Sequence, residues 1–225
     1  MAAAKGEYIA RFDADDFMQP NRIERQSHFL LEYDLVDIVG SGADVFGDVH
    51  DVYRPPSEQL GLINEMTLNN PIIHPTIMFR RELIDKGLFK YRSDLATEED
   101  YELWCRLLPR LQVCNIQESL IRYRIHGSNN QRIPGKFEAK KIALTEFFEH
   151  FDVSDLALVN ALARFQCSGY FSYEGYSVLH EYAKQADRKK LPRLGWLQTW
   201  IAKESRYSLF MDYYMSKMWE KSGAI

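Results

Sequence analysis

The chain has 225 residues, 46% of them hydrophobic and 27% charged, with a formal net charge of −4 and a pI of about 5.9. That length supports one apolar core with room for a smaller appended unit, and without a long basic run the charge excludes nucleic acid as a main partner. Cys105, Cys114 and Cys167 are odd in number, widely spaced and set in apolar surroundings with no CxxC, which reads as buried reduced thiols rather than a disulfide framework or zinc site.

Met1 to Lys5 read as the last turn of a helix with Gly6 as its left-handed cap. One turn is not stable alone, so the chain reads as beginning inside an element. Tyr8 to Phe12 is predicted as a strand, followed by a helix opened by Pro20 with Ile23, Phe29, Leu30 and Tyr33 as its apolar stripe. Val36 to Tyr53 alternates and is broken by glycines, with Gly47-Asp48 as a hairpin turn. Leu60 to Leu68 reads as helix, "NNPIIHP" as loop, Thr76 to Phe79 as a short strand, and Arg81 to Lys86 as a short helix stopped by Gly87. A helix opened by Thr97 carries the stripe Trp104, Leu107, Leu108 and Leu111, and Val113 to Ile116 and Leu120 to Ile125 read as two strands. After the polar loop "HGSNNQRIPG", helices are predicted over Phe137 to Phe151, Ser154 to Cys167, Glu174 to Ala186 and Leu194 to Met218. The organisation is therefore α/β, with a sheet region over 1–135 and an all-helical C-terminal region over 136–225. No signal peptide is visible and no apolar run approaches the ~18 residues of a membrane span, so the plain reading is a cytoplasmic protein able to work at a membrane surface. Arg188, Lys189 and Lys190 with Arg193 read as a solvated helix end or as a contact for anionic lipid.

The strand Tyr8 to Phe12 stops in "DADD". Three carboxylates, Asp13, Asp15 and Asp16, repel one another unless a cation relieves them. In open α/β sheets ligands bind beyond the C-terminal strand edges, and oxygen ligands suit a hard divalent ion that bridges a diphosphate. The plainer alternative is that Asp15 or Asp16 caps the helix opened by Pro20. The aspartyl-nucleophile form of phosphoryl transfer fits poorly, because Phe17 and Met18 follow the acids. A second acidic stretch, "TEEDYELWCRLL", places Glu98, Glu99 and Asp100 in the first turn of a helix. Thr97 and Asp100 resemble a capping box and the acids suit the helix dipole; equally, one acid facing a cleft could act as a general base.

Together "AAAKGEYIARFDADDFMQPNRIERQ", "HPTIMFRREL", "TEEDYELWCRLL" and "YRIHGSNN" resemble, in that order, the family-2 glycosyltransferases of the GT-A fold, and within them bacterial enzymes that assemble surface polysaccharides. The resemblance covers about Ala2 to Asn130. It implies a truncated GT-A, Rossmann-like sheet domain that transfers a sugar with inversion from a nucleotide-diphosphate donor to a hydroxyl of a glycan or lipid-linked acceptor. On that resemblance Asp13 and Asp15, with Asp16 sharing, hold Mn²⁺ or Mg²⁺ against the donor diphosphate, and His126 in "YRIHGS" completes the ligation. Asp100 is the base and Glu99 its neighbour. Arg132, in the loop that follows, reads as a phosphate clamp or as an ordinary exposed loop arginine. His74 and Arg80 border the acceptor or serve packing. Gln131-Arg132 lacks the Trp of the processive-synthase signature, so single addition is expected.

The family usually begins with "SVIIPxYN" and reaches "DDGSxD" before its D-x-D, and neither matches here. The chain thus reads as the later portion of such an enzyme, with Tyr8 to Phe12 exposing an unpaired edge. Self-association or a partner polypeptide is the expected consequence. The competing reading is a non-catalytic module whose aromatic helical region binds a partner or glycan, with peripheral membrane contact through amphipathic helices.

Overall fold

The computed structural model describes residues 4–126 and 134–168, together with residues 175, 177–179 and 181–182. The helices expected over Glu174 to Ala186 and Leu194 to Met218, the basic cluster at 188–193 and Arg132 lie outside the described residues, in whole or in most part.

Short strand β1 (Tyr8–Ala10) leads through the acidic turn to β2 (Phe17–Met18) and helix α1 (Arg22–Glu32). Strands β3 (Ile38–Gly47) and β4 (Asp51–Tyr53) form the hairpin, followed by α2 (Gln59–Met66), a 3₁₀ turn (His74–Thr76), β5 (Met78–Arg80) and α3 (Glu82–Asp85). Then come α4 (Glu99–Leu107), β6 (Val113–Ile125), α5 (Lys136–Glu149) and α6 (Leu156–Ser168). The sheet order is β1-β5-β3-β6-β2, with β4 added to β3. Only β3 and β6 pair in parallel; the other pairings are antiparallel. This mixed sheet bends at register shifts beside Ser41, Gly42 and Ala43. The same irregularity unites Val113 to Ile125 into one strand where two were expected.

Period-two alternation sorts the sheet faces. Ile38 opposes Phe79, and both enter the large core built by α2 to α6, with Ile9 packed against it. Their neighbours Val39 and Met78 point the other way, into a small cluster with Leu30 and Val36 under α1. Helix α4 is buried nearly all round, with Tyr101, Leu103, Trp104 and Leu107 in the large core. Ala143, Leu144, Phe147 and Phe148 of α5, and Leu158 and Leu162 of α6, share that core.

Several expectations change. The left-handed glycines among the described residues are Gly47, Gly87 and Gly135, so Gly6 is not a left-handed cap. The stripe expected for α1 is only part of its buried face: Leu30 is buried and Phe29 packs against the small cluster. Arg22, Gln26 and Leu30 are buried there, while Ile23 and Tyr33 are exposed, because polar side chains of α1 reach backbone carbonyls beneath the helix. Only Cys105 is a buried thiol; Cys114 is half-buried and Cys167 exposed.

Gly47 closes β3 at φ 108°, and a Cβ there would lie 2.2 Å from the Ile125 carbonyl oxygen. Gly47→Ala is therefore expected to cost about 1–3 kcal/mol, read as a lowered urea midpoint. An unchanged midpoint would show that the hairpin end relaxes freely.

Candidate active site

β1, β3 and β6 run in one direction and β5 in the other. The acidic turn therefore lies at the C-terminal end of β1 and His126 at that of β6. The stretch Ile72 to Pro75 approaches from the start of β5, and α4 presents its first turn. Between these segments lies a cavity of about 410 Å³ whose lining includes Arg11, Asp13, Asn70, His74, Asp100 and Tyr123, with Asp15, Asp16 and His126 outside it. Two carboxylates distant in sequence, Asp13 and Asp100, thus face one space.

Asp13 accepts a hydrogen bond from Arg11 Nη1 at 2.6 Å. Asp15 Oδ2 lies 3.2 Å from His126 Nε2. Asp16 is buried and turns inward, where its Oδ1 accepts from the Arg124 amide at 2.8 Å. Its Oδ2 is buried without a hydrogen-bond partner. Burial raises the Asp16 carboxyl above its usual range, the Arg124 amide opposes this, and Asp15 and Asp13 add to it. Neither Asp15 nor Asp16 caps α1: the cap position is Asn21, and the turn closes instead through the Asp16 amide on the Asp13 carbonyl.

At the second acidic stretch the capping box does not form. The cap residue of α4 is Glu98, left-handed at φ 61° and ψ 26°, with no side-chain cap bond. Lys136 and Lys140 hold its carboxylate at 3.3 and 2.6 Å, which ties this strained residue to α5. Glu99 is exposed beside it. The Asp100 carboxylate is fixed at both oxygens, by the Tyr101 amide at 2.7 Å and by Asn70 Nδ2 at 3.1 Å. Burial raises its pKa, the Tyr101 amide works against that, and Glu98 and Glu99 add to it.

His74 lines the cavity as a neutral ring, its pKa pushed down to about 3 by burial and by the Arg11 charge. Its Nε2 lies 2.7 Å from the Tyr91 hydroxyl. Arg80 stands elsewhere: it donates to the carbonyls of Val36 at 2.9 Å and Leu30 at 2.5 Å, closing the end of α1. Asn70 is the functional residue that the sequence reading left inside a loop. Its signal is the Asn-Pro pair that stiffens the turn.

The donor set can be tested for a hard divalent cation. Two ligand atoms bound side by side on one octahedral ion at about 2.1 Å lie about 3 Å apart, close to the separation of Asp15 Oδ2 and His126 Nε2. Carboxylate oxygens with one imidazole suit Mn²⁺, or Mg²⁺, and Asp16 leaves a buried acceptor beside them. Among the described residues no three His, Cys, Asp or Glu side chains converge as a ligand cluster, since Asp13 is turned to Arg11. The chemistry of the set fits the ion.

Residues 1–88, which hold the D-x-D turn and the wall from Asn70 to Pro75, match the family model described as glycosyl transferase family 2. Over that stretch the chain is similar to glycosyl transferase family 2. It is 31% identical over 160 residues to the O-antigen biosynthesis glycosyltransferase WbnJ of Escherichia coli, an alignment covering 66% of this chain and 60% of WbnJ. It is 35% identical over 130 residues to EpsE of Bacillus subtilis, covering 55% of this chain and 45% of EpsE. The crystal structure of S. aureus TarS 1–349 in complex with UDP-GlcNAc superposes with a TM-score of 0.55 at 14% identity, over 79% of this chain and 53% of that one. It shares the mixed, curled sheet of the GT-A fold. The chain thus spans about half the length of the relatives it matches. Among the described residues no helix is long and apolar enough to cross a membrane.

Proposed function

We propose that this chain carries the metal-binding and acceptor-activating parts of an inverting glycosyltransferase that works in bacterial polysaccharide assembly. The observation that carries this reading is the convergence of Asp13 and Asp100 on one cavity. Asp100 takes the proton of the acceptor hydroxyl, which then attacks the anomeric carbon on the face opposite the leaving diphosphate. Its Oδ1 and Oδ2 are already oriented by Tyr101 and Asn70, and a raised pKa strengthens it as a base. Asp13, Asp15 and His126 would hold Mn²⁺ or Mg²⁺, which when bound neutralises charge on the departing diphosphate. Glu99 lies on the cavity rim to meet the acceptor. The neutral His74 adds an uncharged part of the same wall, its Nε2 held 2.7 Å from the Tyr91 hydroxyl. The donor is a nucleotide sugar and the acceptor a glycan or a lipid-linked glycan at the cytoplasmic face of the membrane.

The test is calorimetric titration of UDP into the chain with Mn²⁺, beside Asp15→Ala. UDP is chosen because the TarS fold neighbour has been solved with UDP-GlcNAc. Manganese-dependent binding that Asp15→Ala loses supports the reading. Absence of binding by a folded chain favours the second reading, a non-catalytic module. That reading draws on one observation: β1 pairs with β5 alone among the described residues, leaving an edge for another strand or a second copy.

A further inference from the structure

Arg11 stands out on the cavity wall. Among the lining residues it is the one permanent cation, set among Asp13, Glu98, Glu99 and Asp100. Of these acids, Glu98 is already neutralised by Lys136 and Lys140. Burial holds the nearby His74 uncharged at neutral pH.

The backbone of Arg11 is fixed at both ends. Its amide donates to the Ile77 carbonyl at 3.0 Å, and its carbonyl accepts from the buried Arg22 at 2.8 Å. Its head is different. The guanidinium pairs with Asp13 while both side chains stay about one-third exposed, at 33% and 35%. An ion pair so open to water contributes little to stability, so the fold has small need of it. The pair has one marked consequence: it occupies the carboxylate that would otherwise turn toward Asp15 and His126.

We propose that Arg11 is an exchange cation. It neutralises Asp13 while no metal is bound, and it moves to the diphosphate of a nucleoside diphosphate once a divalent ion takes Asp13. This rests on the metal-binding reading given above and extends it. Two positive charges cannot share one carboxylate as favourably as one, so metal entry displaces the guanidinium. The released fork stays tethered beside Asp13, within reach of any phosphate bridged to the same ion. Arginine suits that role because its planar donors match two phosphate oxygens at once. On binding, the Arg11–Asp13 pair breaks, Asp13 pairs with the ion and Arg11 with the phosphate.

The exchange predicts effects of opposite sign from one substitution. In the full chain, Arg11→Gln removes the competitor for Asp13, so MnCl₂ alone should bind several-fold more tightly, about three- to tenfold. UDP in saturating Mn²⁺ should bind about tenfold or more weakly, because the anion loses a charged donor. Both are read by calorimetry, with thermal unfolding to show that the variant is folded. Arg11→Lys serves as a second variant: it keeps the charge, so Mn²⁺ affinity should stay near wild type while UDP binding falls several-fold with the lost fork. Mn²⁺ binding no tighter in Arg11→Gln overturns the proposal, since the pair then does not compete with the ion. Unchanged UDP binding in either variant overturns it too, since Arg11 then does not reach the anion. Those outcomes are separate from failure of the metal reading itself, in which wild type and Asp15→Ala alike would bind no Mn²⁺.

Discussion

Asp100→Asn is expected to remove about 10²–10⁴-fold of the transfer rate while leaving the fold intact. The base is the group that must accept a proton from a hydroxyl too weakly acidic to ionise alone. An amide of the same shape still accepts from the Tyr101 amide but takes no proton. Asp100→Glu, which restores the carboxylate at a longer reach, should recover part of the rate. The check is release of nucleoside diphosphate from a nucleotide sugar in the presence of acceptor, with UDP binding as control. A variant that binds UDP normally and still transfers at the wild-type rate would remove Asp100 from the base role.

The pH behaviour gives the same test a second arm. Asp100 is held above its ordinary value of 3.8, chiefly by burial. It must be ionised to act, so the wild-type rate should fall on the acid side with a midpoint above 3.8, and that limb should vanish in Asp100→Asn. Stability runs the other way. A carboxyl raised on folding costs stability wherever it is ionised in the folded state. That cost fades as the pH falls through the raised folded pKa and is absent below the unfolded value. Asp100→Asn should therefore unfold at an equal or higher temperature than wild type at neutral pH, and lose that advantage in acid. Such a gain in stability with loss of activity is the usual signature of a functional carboxylate in a partly dehydrated site.

What the sequence disclosed depended on whether chemistry coincided with hydrophobic periodicity. The Tyr8 to Ala10 strand and the α4 stripe of Trp104, Leu107 and Leu108 were legible because apolar side chains alternate or recur at helical spacing, and the Gly47 turn because glycine suits its positive φ. The acids were legible because their density at a strand end has little structural use. Helix α1 misled for the converse reason: Arg22 and Gln26 are buried polar residues, and no apolar pattern reports them. The left-handed Glu98 follows from Lys136 and Lys140, which lie in a helix almost forty residues further on. Val113 to Ile125 is one strand because β3 carries its irregular middle through the register shifts, an effect of pairing rather than of local composition. Asn70 and Arg80 could be assigned only when their partners were visible, Asp100 for one and the end of α1 for the other.

Arg22→Ala is the stability change with the largest expected effect, about 3–5 kcal/mol. Arg22 is fully buried. Its Nε donates to Gln26 Oε1 at 2.9 Å, and one terminal nitrogen bridges the carbonyls of Arg11 at 2.8 Å and Ile77 at 3.2 Å. Gln26 in turn donates to the carbonyls of Val39 and Thr76. One side chain thus ties α1 to the ends of β1 and β5, where the D-x-D turn begins. Burial lowers its pKa to about 10, so the charge itself is held at a cost that the carbonyls offset. Truncation to Ala leaves a void and strips the Arg11 carbonyl and Gln26 Oε1 of donors. For a chain of this size the thermal midpoint should fall by about 10 °C. Arg22→Met fills much of the space and removes the buried charge, so its loss should be less than half as large. Because the Arg11 backbone hangs on this contact, Mn²⁺ and UDP binding should weaken in Arg22→Met even at temperatures where the variant is fully folded. A loss below about 1 kcal/mol in Arg22→Ala, within the range of ordinary surface changes, would show that β1 holds the acidic turn in place through its pairing with β5 alone.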